Sequence, residues 1–173
     1  KNLKILELGC GSGCLIISLL KELSVIKAIA CDISNKALKI TNQNAKFYNV
    51  ENKIECIESD WFQNIPQLKF DIIISNPPYI KPHEKNLVAM ETLQYEPHQS
   101  LFDEDLQSYK TIAESASIYL NSEGKIFLEI GIRQEQAVTN IMINSGLRLI
   151  KTYKDLLQIV RILEFKKNDA SLS

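Results

Sequence analysis

Short apolar runs alternate along the chain with longer segments of helical periodicity. Five runs are typical of β-strands, and they read LKILELG, IKAIACDI, KIECIES, FDIIISN and GKIFLEIG. Most of the segments between them repeat apolar residues every three or four positions, as amphipathic helices do. Because strands that alternate with helices build a parallel sheet covered on both faces, the pattern predicts an α/β fold.

Four helices are predicted, over about 13–23, from Ser34 onward, over about 106–120 and over about 134–145. Ser34 is the predicted N-cap of the second helix, and Gly146 is predicted to end the fourth in a left-handed conformation. The first helix is expected to bury one stripe, Leu15, Ile16, Leu19, Leu20 and Leu23. The second is expected to bury Ala37, Leu38, Thr41, Ala45 and Tyr48 at the same spacing.

The C-terminal segment LRLIKTYKDLLQIVRILEFKK breaks this alternation. It holds two strand patterns joined by about five residues, whereas a parallel crossover needs about a dozen or more. These two strands are therefore predicted to pair antiparallel, which makes the whole a mixed sheet of seven strands. Ile72, Ile73 and Ile74 are consecutive, so their strand is expected to be buried on both faces and to lie centrally.

Composition narrows the class of protein modestly. The 173 residues are 45% apolar, which suits one globular domain, and the formal net charge of -1 gives no broad basic face for nucleic-acid phosphates. No apolar run approaches the roughly 18 residues that span a bilayer, and the N-terminus lacks the layout of a signal peptide, so a cytoplasmic protein without membrane contact is expected. The chain opens at Lys1 without methionine, so we expect a fragment of something longer.

Cysteine and histidine form no metal-binding pattern. No CxxC pair or nearby histidine is present, so we predict no metal site and reduced thiols packed as small apolar side chains at Cys10, Cys14, Cys31 and Cys56. His83 and His98 are expected to be surface residues in an irregular stretch, residues 81–105. A loop of that length is usually functional or mobile.

The first strand leads into three glycines, Gly9, Gly11 and Gly13, in the segment LELGCGSG. Glycine lets the backbone turn tightly and approach a ligand, and the following helix offers free N–H groups. A GxGxxG dinucleotide fingerprint would need glycine at Cys14, and a phosphate-binding P-loop would need the sequence GK[ST]. A different ligand loop is therefore predicted, with a bare strand-to-helix turn as the alternative.

Polar residues also follow the second and third strands. Asp32 is placed to accept hydrogen bonds from both hydroxyls of a ribose, with a cap of the next helix as the alternative role for an Asp here. Asp60 could bind an adenine amino group, and Trp61 could cover the ring or simply fill the core. Because open α/β sheets bind ligands at the carboxyl ends of their strands, these residues together predict an adenosine-shaped pocket.

The segments ELGCGSG, CDIS, SDWF and SNPPYI, in that order, resemble the motifs of the class I methyltransferases that use S-adenosylmethionine. Within that group, NPPYI followed by YEPHQSLF and LEIG resembles the release-factor glutamine N(5)-methyltransferases, the HemK/PrmC family. The likeness runs from Leu3 to about Phe165 and implies a Rossmann-like fold. It departs in two respects, because DEDLQSY stands where the family usually has glycines and the family's N-terminal helical domain is expected to be absent from this chain.

The resemblance implies a catalytic domain at residues 1–166 and a tail or linker at 167–173. It implies that S-adenosylmethionine, converted to S-adenosylhomocysteine, contacts Gly9, Cys10, Gly11, Ser12, Gly13, Asp32, Trp61 and Asn76. It places the substrate against Asn76, Pro77, Pro78 and Tyr79, with catalytic roles for Asn76, Pro77 and Tyr79. The implied partner is a peptide chain release factor, methylated on the glutamine of its Gly-Gly-Gln loop, and a monomeric enzyme is expected.

The Asn-Pro-Pro-Tyr corner suits an amide nitrogen, which is a poor nucleophile because its lone pair is delocalised. The Asn76 side-chain oxygen and the Pro77 carbonyl can each accept a hydrogen bond from the NH₂ group and so orient it. Proline fixes φ and brings no competing N–H. Tyr79 can stack on a planar group and attract the sulfonium through its ring.

Several alternatives remain open from the sequence. The same corner would serve an amino group of adenine or cytosine in DNA or RNA, although no basic balance supports nucleic-acid binding. A non-catalytic module that binds S-adenosylmethionine or nucleotide is a third possibility, and the two prolines could also be a rigid turn and nothing more. Glu129, at the end of the fifth strand, could shape the pocket or be structural.

Overall fold

The computed structural model describes residues 3–23, 25–79 and 105–168. Within these ranges seven strands form one sheet in the order β3-β2-β1-β4-β5-β7-β6. The strands are β1 Leu3–Leu8, β2 Val25–Asp32, β3 Ile54–Glu58, β4 Phe70–Ser75, β5 Leu120–Glu129, β6 Leu147–Lys154 and β7 Val160–Lys167. The described helices are α1 Cys14–Glu22, α2 Asn35–Phe47, α3 Gln107–Tyr119 and α4 Glu135–Asn144, with a 3-10 turn at Glu51–Lys53.

The predicted mixed seven-strand sheet is confirmed. Strands β1 to β5 pair parallel, whereas β7 pairs antiparallel with both β5 and β6. The chain passes from β5 through α4 to the sheet edge, forms β6 there and returns as β7 into the place beside β5. The irregular stretch predicted at residues 81–105, with His83 and His98, lies outside the described residues apart from Asp105.

Helices cover both faces of the sheet, as predicted. One buried cluster joins α1 and α2 to side chains such as Ile5 and Ile74, and the other joins α3 and α4 to side chains such as Leu6 and Ile73. Each aliphatic side chain of this kind contributes roughly 1.5–3 kcal/mol when it is fully buried. The consecutive isoleucines of β4 thus pack on alternate faces, and β4 is the central strand of the order.

The exact helical stripes differ from the sequence prediction. In α1 the buried residues are Ile16, Ile17 and Leu20, whereas Leu15 and Leu23 are 45% and 38% exposed, so their predicted burial is wrong. Both stripes satisfy helical spacing, so the spacing alone does not select between them. Tyr48 is also exposed, because it follows the last turn of α2.

Several local predictions are confirmed. The Ser34 hydroxyl accepts a hydrogen bond from the Ala37 N–H at 3.3 Å and caps α2. Gly146 has φ 82°, the left-handed conformation expected after α4. None of the four cysteines is in a disulfide, but Cys14 is exposed, which corrects its predicted packing. Lys167 lies in β7, one residue beyond the predicted domain boundary.

No helix among the described residues is long and apolar enough to cross a membrane.

The carboxyl ends of β1 and β4 are joined by a buried side chain. Leu8 and Ser75 are partners in the parallel register, and the Ser75 hydroxyl donates to the Leu8 carbonyl at 2.9 Å. Ser75 is only 2% exposed, so this carbonyl gains a partner that water would not readily supply there. The bond ties together the two chain segments that follow these strands.

Ser75→Ala should therefore destabilise the fold, since it leaves the buried Leu8 carbonyl without this donor. We expect a loss of about 1–3 kcal/mol in the free energy of unfolding, measured by denaturant titration. Ser18→Ala is the matched control, because Ser18 donates to a carbonyl of its own helix in an exposed position. Equal losses for both variants would contradict the special importance of the Ser75 bond.

Candidate functional site

The strand register brings the predicted site residues to one edge of the sheet. Leu8 is paired with Cys31 on one side and with Ser75 on the other, and Ser75 is in turn paired with Leu128. The residues that follow these positions are therefore neighbours along the carboxyl edge, as expected for a ligand site in an open α/β sheet. They are the glycine loop at residues 9–13, Asp32, the corner at residues 76–79, and Glu129.

All three glycines of the loop require the left-handed region, with φ of 69°, 54° and 74° at Gly9, Gly11 and Gly13. A Cβ at Gly13 would lie 2.6 Å from the Thr41 methyl carbon, so packing also demands glycine there. Gly9 and Gly11 have no atom within 4 Å of the corresponding position. The loop thus presents open space at its first two glycines, where a ligand could approach the backbone.

Side chains of helix α2 donate hydrogen bonds to this loop. Thr41 is fully buried and its hydroxyl donates to the Gly11 carbonyl at 3.0 Å, while the Asn44 amide donates to the Ser12 carbonyl at 2.9 Å. The Cys10 N–H donates to the Cys31 carbonyl at 2.9 Å. The sequence analysis treated Thr41 only as a core position, and helical spacing gave no sign of these side-chain contacts.

The Asp32 carboxylate contacts both the glycine loop and the turn that follows β2. One carboxylate oxygen accepts from the Gly11 N–H at 2.9 Å, and the other accepts from the Ser34 N–H at 2.8 Å. The N-cap of α2 is Ser34, so the helix-capping alternative considered for Asp32 is wrong. The Asp32 carboxylate instead joins the glycine loop to the turn before α2. Each oxygen keeps a further lone-pair site, and the side chain is partly exposed, so it can accept additional hydrogen bonds.

Glu7 is a functional candidate that sequence reasoning missed. Its side chain is only 4% exposed, and burial raises its pKa from the ordinary 4.5 to about 8. The Ile16 N–H in the first turn of α1 donates to its carboxyl, which lowers the pKa, and the charge of Asp32 raises it further. Among the described residues its Oε2 has no hydrogen-bond partner. A buried acid therefore contacts the first turn of α1.

Trp61 lies shortly after β3, and its predicted roles were to cover a ligand ring or to fill the core. Trp61 has φ 50°, is half-buried and packs against the core cluster of α3 and α4. Its carbonyl accepts from the Ser59 hydroxyl at 2.8 Å and from the Cys31 thiol at 3.5 Å. Part of the indole thus fills the core, and part remains exposed. Asp60 is exposed and accepts from the Gln63 amide at 3.3 Å.

The Asn-Pro-Pro-Tyr corner follows β4 directly. Asn76 is exposed, Pro77 is buried, and Pro78 and Tyr79 are half-buried. The Gln134 amide donates to the Tyr79 carbonyl at 2.7 Å, and an Arg161 Nη donates to the Tyr79 hydroxyl at 3.2 Å. The same Nη lies 3.5 Å from a Glu129 carboxylate oxygen. The corner therefore presents Asn76 outward while its far end is held by the other half of the sheet.

The segment just before α3 keeps left-handed backbone without glycine. Asp105 and Leu106 have φ of 55° and 58°, in the DEDLQSY segment where glycines were expected from the resemblance. Left-handed backbone costs an L-residue roughly 1–2 kcal/mol. The departure in sequence therefore leaves a glycine-like conformation at these two positions.

No cluster of three or more His, Cys, Asp or Glu side chains within the ranges the structure describes could hold a metal ion.

Comparison with known proteins points to one kind of enzyme. Residues 1–105 match the family model described as the methyltransferase small domain. The chain is 49% identical over 164 residues to a bifunctional methyltransferase of Rickettsia felis, covering 94% of this chain and 31% of that protein. It is 44% identical over 142 residues to a release factor glutamine methyltransferase of Streptococcus pneumoniae, covering 81% of this chain and 50% of that protein.

Solved structures agree on the fold. A methyltransferase from Pyrococcus furiosus superposes with a TM-score of 0.73 at 18% identity, covering 97% of this chain and 76% of that one. The architecture is therefore the Rossmann-like class I methyltransferase fold predicted from the sequence. The chain spans about a third of the Rickettsia relative and half of the Streptococcus relative.

The buried Glu7 carboxyl leads to a prediction about how the stability of the fold depends on pH. The pKa of Glu7 is raised to about 8 in the folded protein. Between pH 4.5 and 8 this carboxyl is therefore ionised in the unfolded chain but protonated in the folded protein. Its contribution to the free energy of unfolding should fall across that window, by about 1.4 kcal/mol per unit of pKa difference at most, and level off above it. Glu7→Gln should remove this fall.

The measurement is denaturant unfolding of both proteins from pH 5 to 9, compared as a difference so that other carboxyls cancel. Glu22→Gln, at an exposed position of α1, should leave the profile of the parent unchanged. A Glu7→Gln profile parallel to the parent's would show that the Glu7 carboxyl is ionised in the folded protein.

Proposed function

The chain belongs to the methyltransferase small domain family, and we propose that its residues 1–166 are a catalytic domain acting on peptide chain release factors. The reaction is transfer of a methyl group from S-adenosylmethionine to the side-chain amide nitrogen of the glutamine in the Gly-Gly-Gln motif, with S-adenosylhomocysteine as the other product. The observation that carries the proposal is the exposed Asn76 of the Asn-Pro-Pro-Tyr corner, beside an open glycine loop. The similarity to a release factor glutamine methyltransferase supports this substrate.

The residues at the carboxyl edge fit the cofactor. The open positions at Gly9 and Gly11 admit a ligand against the backbone, and Asp32 retains acceptor sites for two ribose hydroxyls. The exposed part of Trp61 can cover an adenine ring. Bound S-adenosylmethionine supplies a methyl group attached to a positively charged sulfur.

The corner acts by positioning, because an amide NH₂ needs orientation more than it needs a base. The Asn76 side-chain oxygen and the Pro77 carbonyl accept one hydrogen bond each and turn the nitrogen lone pair toward the methyl group. Prolines at 77 and 78 fix φ and add no competing donor. Tyr79 has Arg161 over its ring, with the guanidinium carbon 5.4 Å from the centroid, and it also packs against the core cluster of α3 and α4.

Tritium transfer from labelled S-adenosylmethionine tests the proposal directly, using the protein at its natural full length. The acceptors are a purified bacterial release factor, its Gly-Gly-Gln variant with the glutamine changed to alanine, and single-stranded and duplex DNA and RNA. Label on the intact release factor alone supports the glutamine reaction. Label on nucleic acid would replace it with methylation of a base amino group.

Asn76→Ala should reduce turnover by about two orders of magnitude, as loss of one orienting acceptor does in other enzymes. Affinity for S-adenosylmethionine should stay within a few fold, because the glycine loop and Asp32 are unchanged. Single-turnover kinetics and calorimetry measure the two quantities. Near-normal turnover would remove Asn76 from the mechanism.

Asp32→Ala should have the opposite signature. Losing a charged acceptor for two hydroxyls should weaken S-adenosylmethionine binding by about 1.5–3 kcal/mol, roughly ten- to hundredfold. Asp32→Asn gives an intermediate comparison, since its single side-chain oxygen can accept from the Gly11 N–H or from the Ser34 N–H but not from both. An unchanged calorimetric affinity for Asp32→Ala would rule out the ribose role.

A further inference from the structure

Tyr79 is held by two side chains from the far half of the sheet, and a third side chain contacts one of them. Gln134 donates to its carbonyl at 2.7 Å, and Arg161 both donates to its hydroxyl at 3.2 Å and lies over its ring at 5.4 Å. Glu129 lies 3.5 Å from the same Arg161 nitrogen. These residues are 50 to 82 positions later in the chain than Tyr79, so the arrangement depends on the sheet order.

Gln134 is itself fixed in one orientation. It is the residue before α4, and its side-chain oxygen accepts from the Gly131 N–H at 2.9 Å. The amide group occupies the space beside Gly131, where a Cβ would come within 2.8 Å of it. With the oxygen committed to Gly131, the NH₂ group must point toward the Tyr79 carbonyl. The Gln134 amide therefore links the segment after β5 to the Asn-Pro-Pro-Tyr corner through two hydrogen bonds.

Arg161 is placed by the antiparallel pairing of β7. Its carbonyl accepts from the Ile130 N–H at 2.9 Å, and Ile162 is the register partner of Glu129. The Arg161 and Glu129 side chains are 23% and 34% exposed, and their closest nitrogen and oxygen are 3.5 Å apart, a long contact for a hydrogen bond. The pairing of β7 with β5 thus fixes the position from which Arg161 contacts Tyr79.

The corner is thereby anchored at both ends. At its start, Ser75 is bonded to β1 through the Leu8 carbonyl, and at its end Tyr79 is bonded to Gln134 and Arg161. The two prolines between them have fixed φ. With both ends and the middle constrained, the direction of the Asn76 side chain and of the Pro77 carbonyl depends on where Tyr79 is held. A displacement of about 1 Å at such a group can cost two orders of magnitude in rate.

We propose that Gln134 and Arg161 are positioning residues for methyl transfer, which hold Tyr79 and so aim the two acceptors of the corner, with Glu129 orienting Arg161. The proposal rests on the proposed function only in needing an amino-group substrate. It holds for whichever amino-group substrate the full-length protein methylates.

Gln134→Glu is the sharpest test, because the carboxylate can still accept from Gly131 but cannot donate to the Tyr79 carbonyl. Gln136→Glu is the matched control, since it adds the same charge to the same helix at an exposed residue paired with Asn140. We expect Gln134→Glu to lower kcat at least tenfold while the Kd for S-adenosylmethionine and Tm stay close to those of the parent. Gln136→Glu should leave all three unchanged.

Arg161→Met and Arg161→Lys extend the test to the ring and hydroxyl. Methionine keeps apolar bulk over the ring but loses the donor, whereas lysine keeps a charge and one donor. We expect kcat to fall most in Arg161→Met and to recover partly in Arg161→Lys. Unchanged kcat in both Gln134→Glu and Arg161→Met would overturn the proposal. A loss of kcat matched by a large loss of Tm would also overturn it, because it would indicate a structural role.

A readout that does not depend on activity separates this proposal from the substrate assignment. The ring signals of Tyr79 in 13C-tyrosine-labelled protein can be assigned by their loss in Tyr79→Phe. We expect these signals to shift in Gln134→Glu and in Arg161→Met but not in Gln136→Glu. Unshifted signals in the first two variants would show that Tyr79 is held by other contacts, whatever the parent protein methylates.

Discussion

The parallel pairing of β1 with β4 is the constraint on which the candidate site depends. These strands are far apart in sequence, yet their last residues, Leu8 and Ser75, are register partners and share a buried hydrogen bond. One strand leads into the glycine loop and the other into the Asn-Pro-Pro-Tyr corner. A slip of one residue in this register would turn Ile73 and Ile74 to the wrong faces, so the same apolar packing that stabilises the sheet also fixes the spacing of the two ligand segments.

Much of this architecture follows from local sequence patterns. Apolar runs located the strands, and the short link between β6 and β7 required antiparallel pairing. Ser34 and Gly146 marked helix ends because their capping chemistry is local. The buried stripe of α1 could not be resolved in the same way, since Leu15 and Ile17 both lie at acceptable helical positions. Ile17 faces the sheet and packs in the cluster of α1 and α2, and that choice depends on tertiary packing that helical spacing does not encode.

The site was predicted where its residues follow strand ends, and it was missed where contacts cross the sheet. Asp32 and Asn76 each come directly at or after a strand, so their placement followed from the general rule for open α/β sheets. Gln134 and Arg161 reach Tyr79 only because β5 lies beside β4 and β7 lies beside β5, and no spacing in the sequence encodes that approach. Arg161 did carry one sign, being one of three arginines in a chain with 17 lysines. A planar guanidinium over an aromatic ring is a role that lysine fills poorly.

Backbone strain is concentrated at the carboxyl edge that carries the site. Besides the three glycines of the loop, Trp61 after β3 and Arg133 after β5 have positive φ, as do Asp105 and Leu106 before α3. Nothing in tryptophan, arginine or leucine favours that region, and each such residue costs roughly 1–2 kcal/mol. The two buried clusters must offset this cost together with that of the Glu7 carboxyl, which is buried where water cannot solvate its charge. The sheet core is therefore stable enough to hold the carboxyl edge in backbone conformations that the local sequence alone would not favour. For this reason the helices and strands were predictable from the sequence, whereas the finer geometry of that edge was not.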